Sequence, residues 1–298
     1  MAYTTLISST QLQSLMTSAQ PFMVFDCSFN LTDAQAGVAM YTAAHIPGAI
    51  YAHLDQHLSA AKDPATGKAA PGTSASGGRH PLPTREAFAA WLGSVGFDNS
   101  MQAVVYDRQG ANYCGRLWWM LKWAGHDNVA VLDGGLQAWQ AAGGAVTGGA
   151  QPQTSPSNYA LALELIGLAT IETVASRLGR STGESAQTMI DARGAPRYRG
   201  EVEPLDPVAG HIPGALNRPF NDNMAADGCF KPAAQLRAEF DALLGGRDPS
   251  SVVHHCGSGV SAVPNIIAME VAGLGRTALF AGSWSEWCSD PDRPVAQG

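Results

Sequence analysis

Short apolar runs alternate along this chain with longer segments in which apolar residues recur every three or four positions. Met23–Asp26, Ala103–Tyr106, Val129–Leu132, Met189–Asp191, Val252–His254 and Ala278–Phe280 read as buried strands. Arg85–Val95, Gly115–Ala124, Ala234–Leu244 and Gly259–Val271 carry the helical period. Strands and helices in alternation predict parallel βα units, an α/β fold in which helices flank each sheet.

The pattern occurs twice. Ala44–Ala49 (AHIPGA) returns as Gly210–Ala215 (GHIPGA), which moves His45 to His211, a displacement of 166. Val104–Val105, Ala124–Gly125, Gly134 and Trp139 return as Val252–Val253, Ala272–Gly273, Gly282 and Trp287, each displaced by 148 without a gap. The expectation is two tandem copies of one domain, residues 1–145 and 159–298, joined by a linker at 146–158. The difference in offset places extra residues in the first copy near Ser59–Pro83, whose Gly, Ala, Ser and Pro content predicts a long loop. Long loops of this kind are commonly functional.

Composition narrows the function. Lys plus Arg number 18 against 25 Asp plus Glu, for a net charge of −7, and only 14% of residues are charged, which disfavours a nucleic-acid surface. The first 25 residues lack a basic segment followed by an apolar run, so neither a signal peptide nor a membrane anchor is expected, and a cytoplasmic protein is. Gln140–Leu163 is uncharged but too rich in Gly, Gln, Ser and Pro to read as a membrane span. The five cysteines, Cys27, Cys114, Cys229, Cys256 and Cys288, form no C-x-x-C pair, so no metal site or disulfide framework is expected.

One cysteine stands apart. His254–Ser261 (HHCGSGVS) lies between an expected strand and an expected helix, where a loop turns backbone N–H groups inward and the helix dipole favours negative charge. Such a setting favours thiolate at Cys256 and makes it a candidate nucleophile, while Gly257, Gly259, Val260 and Ser261 would form the anion cradle. A cysteine phosphatase also uses a strand–loop–helix cradle, but needs an arginine six positions after its nucleophile, and residue 262 is Ala262. The other four cysteines read as structural. His254 and His255 alternate faces of a strand and are expected to pack. His45, His211, Asp26 and Asp191 recur in both copies and are expected to be structural, and Trp118, Trp119, Trp139, Trp284 and Trp287 are expected in cores.

On His45–Ala49, Arg79–Pro83 (RHPLP), Arg116–Met120 (RLWWM), Asp133–Trp139 (DGGLQAW), Asp191–Gly200 (DARGAPRYRG), His211–Ala215, Cys256–Ser261 and Gly282–Trp287 (GSWSEW), the chain resembles the tandem-domain rhodanese-like sulfurtransferases, and its loop looks most like that of 3-mercaptopyruvate sulfurtransferases. The resemblance implies a catalytic second domain and a silent first one, with Arg108 at the position that corresponds to Cys256. It implies a Cys256 persulfide formed from 3-mercaptopyruvate with release of pyruvate, then transfer to a thiol, cyanide or thioredoxin, with no metal or organic cofactor. It also implies that Arg197 binds the donor carboxylate, with Arg193 and Arg199 as nearby competitors, and that Ser258, His80 and Asp55 handle the proton. The last three could instead serve only to tie down the loops. Some relatives carry a second substrate arginine just downstream of Arg197, where this chain reads Glu203–Pro204–Leu205–Asp206.

Family members that prefer thiosulfate carry basic residues directly after the cysteine, whereas Gly257 and Ser258 are neutral. Losing charged hydrogen bonds worth about 1.5–3 kcal/mol each to a dianion favours 3-mercaptopyruvate as donor. Thiosulfate:cyanide transfer is the second reading, and a persulfide carrier for a protein partner the third.

Overall fold

The computed structural model describes every residue except 1, 181, 184 and 185. The chain divides into two compact units: Met1–Ala61, Pro83–Leu165 and Met224–Phe230 form the first, and Lys62–Leu82, Ile166–Asn223 and Lys231–Gly298 the second.

In the first unit the elements run β1 (Leu6–Ile7), α1 (Ser9–Met16), β2 (Phe22–Asp26), α2 (Ala34–Ala43), β3 (Ile50–Tyr51), α3 (Arg85–Ser94), β4 (Gln102–Tyr106), α4 (Cys114–Trp123), β5 (Val129–Leu132) and α5 (Gly135–Ala141). The five strands form one parallel sheet in the order β1-β5-β4-β2-β3. Strand β4 is buried along its whole length between β2 and β5, which explains its continuous apolar run. Ser8 and Gln11 close a reciprocal capping box on α1, and Thr84 caps α3.

The second unit repeats the plan with α6 (Ile171–Ser176), β6 (Thr188–Asp191), α7 (Ala195–Tyr198), β7 (Leu216–Asn217), α8 (Ala233–Leu244), β8 (Val252–His255), α9 (Val263–Val271), β9 (Ala278–Leu279) and α10 (Ser283–Trp287). Its parallel sheet has the order β7-β6-β8-β9, and the β6–β8 register sets Asp191 beside His255. Trp284, Trp287, Phe280, Ile212 and Val174 form its core.

The boundaries depart from the expected 145 and 159. Residues 146–165 pack as part of the first unit: His45 and Thr147 exchange backbone hydrogen bonds, Ser157 N–H donates to Gly93 O at 2.8 Å, and Ala162 N–H to Ala124 O at 3.1 Å. A segment that reads as linker by composition is thus tied down through its backbone, which composition does not report. Conversely, most of the long loop, Lys62–Leu82, belongs to the second unit. Gly77 N–H donates to Glu286 Oε1 at 3.1 Å and Arg79 N–H to Ser285 Oγ at 2.9 Å. The helix expected to begin at Gly259 begins at Val263 instead. Gly259 lies at φ +73, outside the helical region, and Pro264 in the first turn fits a helix start, where a missing N–H costs nothing.

Candidate active site

Strand β8 ends at His255, and residues 256–262 turn away before α9. A Cβ on Gly259 would stand 2.1 Å from Ala281 O, so both its φ and its surroundings require glycine. Among the described residues, no acceptor is found for the backbone N–H groups of Gly257, Ser258, Val260 or Ser261. Unpaired donors gathered beside a cysteine form a cradle for negative charge.

The loop is held from behind by α10. Cys256 N–H donates to Ser283 Oγ at 3.0 Å, and Ser283 in turn donates to Phe280 O at 2.9 Å. Trp284 N–H donates to Cys256 O at 3.0 Å and Ser285 N–H to Gly257 O at 2.9 Å. Ser283 is fully buried and adopts φ +54, a left-handed conformation, while Gly135, its counterpart in the first unit, has φ +60. A side chain is retained at a position suited to glycine, and its hydroxyl is what anchors Cys256. Sequence reasoning missed Ser283; comparison with Gly135 across the repeat was the available signal.

His80 Nδ1 lies 2.8 Å from Ser258 Oγ, and both residues are buried. His80 is brought to Ser258 within the second unit, because residues 62–82 pack there rather than with the first copy that precedes them in sequence. Asp55 lies in the first unit, in the turn after β3, where its N–H donates to His53 Nδ1 at 3.1 Å.

Guanidinium groups also approach the loop. A Cβ on Gly257 would stand 3.5 Å from Arg197 Nη1 and Nη2 and 3.0 Å from Arg79 Nη2. Arg197 is clamped by Glu203, with Nη2 to Oε1 at 2.6 Å and Nε to Oε2 at 3.2 Å. Burial opposes the charge on Glu203, but the Arg197 hydrogen bond and backbone donors hold its pKa below the usual carboxylate value. For Asp206 the balance runs the other way: burial raises its pKa despite Arg79 and Arg197. Arg199 pairs with exposed Glu201, away from this cluster.

Arg193 is structural. It is buried, bonds to Asp191 at 2.7–3.1 Å and to Gly210 O at 2.7 Å, and lies 4.8 Å from the centre of the Trp284 ring. In the first unit Arg108 makes the corresponding bonds, to Asp26 at 3.2 Å, to Ser28 Oγ and to Ala44 O. The repeat therefore conserves a guanidinium between the strand aspartate and the carbonyl before His-Ile-Pro-Gly, but draws it from different strands. In the second unit the arginine comes from the end of β6, which leaves the β8 loop position to Cys256. In the first it comes from the β4 loop, at the position that corresponds to Cys256.

The remaining expectations of structural roles agree with the packing. His45 stacks on Tyr41 and His211 on Tyr198, each with Nδ1 2.8 Å from the backbone oxygen of that tyrosine. His254 Nε2 lies 3.3 Å from Met269 Sδ, and His255 is fully buried with Nε2 4.0 Å from Asp191 Oδ2. Burial raises the pKa of the other four thiols: Cys27 and Cys114 well above the ordinary value, with Asp26 and Asp107 adding to it, and Cys229 and Cys288 to about 11. A cavity of about 230 Å³, lined by Arg180, Thr188, Met189 and Arg247, opens at the N-terminal ends of β6 and β8, the end away from Cys256. Among the described residues, no cluster of three or more His, Cys, Asp or Glu could hold a metal ion, and no helix is long and apolar enough to cross a membrane.

Comparison with known proteins gives these features a family. The model of the rhodanese-like domain matches residues 8–142 and again 174–290. A Pseudomonas aeruginosa protein described as "Probable 3-mercaptopyruvate sulfurtransferase" is 42% identical over 294 residues, covering 98% of both chains. The mouse "Thiosulfate sulfurtransferase" is 34% identical over 226 residues, covering 73% of each. Among solved structures, the 3-mercaptopyruvate sulfurtransferase from Leishmania major superposes with a TM-score of 0.77 at 28% identity, covering 96% of this chain and 74% of that one. SseA from Escherichia coli, described as a 3-mercaptopyruvate sulfotransferase, gives 0.75 at 26% identity, covering 95% of this chain and 100% of that one. With both halves matched and a full-length relative at 42% identity, the chain belongs to the rhodanese family, as a tandem of two rhodanese-like α/β domains.

Proposed function

We propose that this protein is a sulfurtransferase that takes sulfur from 3-mercaptopyruvate onto Cys256 and passes it to a thiol, cyanide or thioredoxin. The observation that carries the choice of donor is the buried His80–Ser258 hydrogen bond of 2.8 Å, two residues from the nucleophile. Cys256 thiolate attacks the donor sulfur, the carbon–sulfur bond breaks, and its electron pair passes into the enolate of pyruvate. The donor's S–H hydrogen stays on the outer sulfur, which leaves a Cys256 persulfide, and the enolate needs one proton to become pyruvate. A hydroxyl hydrogen-bonded to an imidazole can deliver that proton. Sulfite leaving from thiosulfate needs none, so the pair has work only with the carbon donor. An acceptor thiolate then attacks the outer sulfur and returns Cys256 as thiolate.

In this reading Gly257, Ser258, Gly259, Val260 and Ser261 present the anion cradle, and Arg197 binds the donor carboxylate. The name of the Pseudomonas relative supports the same donor. Five unpaired thiols suit a reducing compartment, and a cytoplasmic location is part of the proposal. Thiosulfate as donor is the alternative, supported by the guanidiniums beside Gly257 and by the name of the mouse relative.

Incubation with 3-mercaptopyruvate and no acceptor should release one pyruvate per chain and add the mass of one sulfur atom at Cys256, and Cys256→Ser should do neither. His80→Ala should slow pyruvate release about a hundredfold, within the usual range for general acid–base catalysis. Unchanged release by His80→Ala would remove the proton role, and persulfide formation from thiosulfate alone would overturn the choice of donor.

A further inference from the structure

Helix α10 holds more than the cysteine loop. Ser285 reaches two segments at once: its N–H donates to Gly257 O at 2.9 Å, while its hydroxyl accepts from Arg79 N–H at 2.9 Å and donates to Gly282 O at 3.2 Å. One residue on, Glu286 Oε1 accepts from Gly77 N–H at 3.1 Å. Glycines let these segments close on each other. A Cβ on Gly78, at φ +83, would stand 2.5 Å from Gly282 O and 2.7 Å from Ser285 Oγ, and one on Gly77 would stand 2.4 Å from Glu286 Oε1. Residues 77–79 are thus seated on the helix that also holds Gly257, and His80 follows directly, with Nδ1 2.8 Å from Ser258 Oγ.

The first unit shows the same helix without such a task. The displacement of 148 sets Gln137 and Ala138 of α5 against Ser285 and Glu286. Gln137 Nε2 donates to Arg108 O at 3.0 Å, and Ala138 has no polar side-chain atom to offer a loop. The Ser–Glu pair belongs only to the copy against which residues 62–82 pack. Ser285 therefore binds the residue before His80 through its hydroxyl and the residue before Ser258 through its backbone. A proton passed along a hydrogen bond depends steeply on the distance and angle between its two groups.

Resting on the reading of His80 and Ser258 as the pair that protonates the enolate, we propose that Ser285 is a positioning residue for that pair, setting His80 against Ser258 by binding the residue before each. Deleting the hydroxyl strands Arg79 N–H and loosens the segment that carries His80. The Ser285 N–H, and with it the hold on Gly257, stays.

The test uses the full chain and the single-turnover release of pyruvate from saturating 3-mercaptopyruvate. Ser285→Ala should slow release about tenfold, part of the hundredfold expected of His80→Ala. In the His80→Ala background the same substitution should cost less than about twofold, because it acts through an imidazole that is no longer there. A merely structural Ser285 would cost the same factor in both backgrounds. A wild-type rate in Ser285→Ala, or an equal loss in the two backgrounds, would overturn the proposal. If Ser285→Ala fails to fold by circular dichroism, Gly78→Ala decides, since its Cβ parts the same two segments from the loop side. A loss that vanishes in the His80→Ala background supports the proposal, and a wild-type rate or an equal loss in both overturns it. Wild-type release by His80→Ala would overturn the proton role itself, and this proposal with it, whereas a slow His80→Ala beside a wild-type Ser285→Ala overturns this proposal alone.

Discussion

Replacing Ser283 separates the anchor of the cysteine loop from the backbone strain that accompanies it. Ser283 lies at φ +54, which costs a residue with a Cβ about 1–2 kcal/mol. Its hydroxyl accepts from Cys256 N–H at 3.0 Å and donates to Phe280 O at 2.9 Å, and the side chain is fully buried. Deleting the hydroxyl strands a buried donor and a buried acceptor, at about 1–3 kcal/mol. Ser283→Ala keeps the strain and loses both bonds, so a loss of about 2 kcal/mol is expected. Ser283→Gly loses the same bonds but relieves the strain, as Gly135 at φ +60 does in the first unit, and should be the more stable of the two by about 1 kcal/mol. In thermal unfolding that difference is about 2–4 °C. Glycine ahead of alanine reverses the order found at ordinary helix positions. Both variants should form the Cys256 persulfide slowly and at similar rates, since neither holds Cys256 N–H. An alanine variant as stable as the glycine variant would refute the strain argument, and wild-type persulfide formation in either would refute the anchor.

Gly259→Ala meets φ +73 and a Cβ placed 2.1 Å from Ala281 O, so stability should fall by more than about 2 kcal/mol in urea titration, with loss of sulfur transfer. Arg108→Cys should not create a second active site, because it leaves Asp26 buried without its counter-ion at a cost of about 3–5 kcal/mol; more than one persulfide sulfur per chain with unchanged stability would contradict this. His254 is held at a pKa of about 3, chiefly by burial, against the ordinary 6.5. Between those values the folded chain binds fewer protons than the unfolded one, so its stability is intact above pH 6.5 and is lost as the pH falls toward 3. His254→Leu should flatten that acid limb of the urea midpoint against pH, and parallel curves for the two proteins would count against the assignment.

Local chemistry made much of this molecule legible. The six expected strands appear to within one residue because each is a buried apolar run, and the repeat of His45 at His211 and of Trp139 at Trp287 revealed two domains. Cys256 stood out because it lies with Gly257 and Gly259 between an expected strand and an expected helix, and Gly259 does require glycine. What stayed hidden depends on contacts distant in sequence. Residues 62–82 read as a long loop by composition, which does not say what binds it, and Glu286 and Ser285 bind its backbone and carry Arg79 and His80 to Ser258 and Gly257. Glu203 and Asp206 read as a departure from the family pattern, and only the fold joins them to Arg197 and Arg79. Residues 146–165 are held through backbone hydrogen bonds, which no side-chain pattern records.

The most direct test of the account is the steady-state rate of sulfur transfer to cyanide, with 3-mercaptopyruvate and thiosulfate compared as donors and Cys256→Ser as the blank. The higher kcat/KM is expected with 3-mercaptopyruvate, and no transfer in the blank. Preference for thiosulfate, or turnover that survives loss of Cys256, would contradict it.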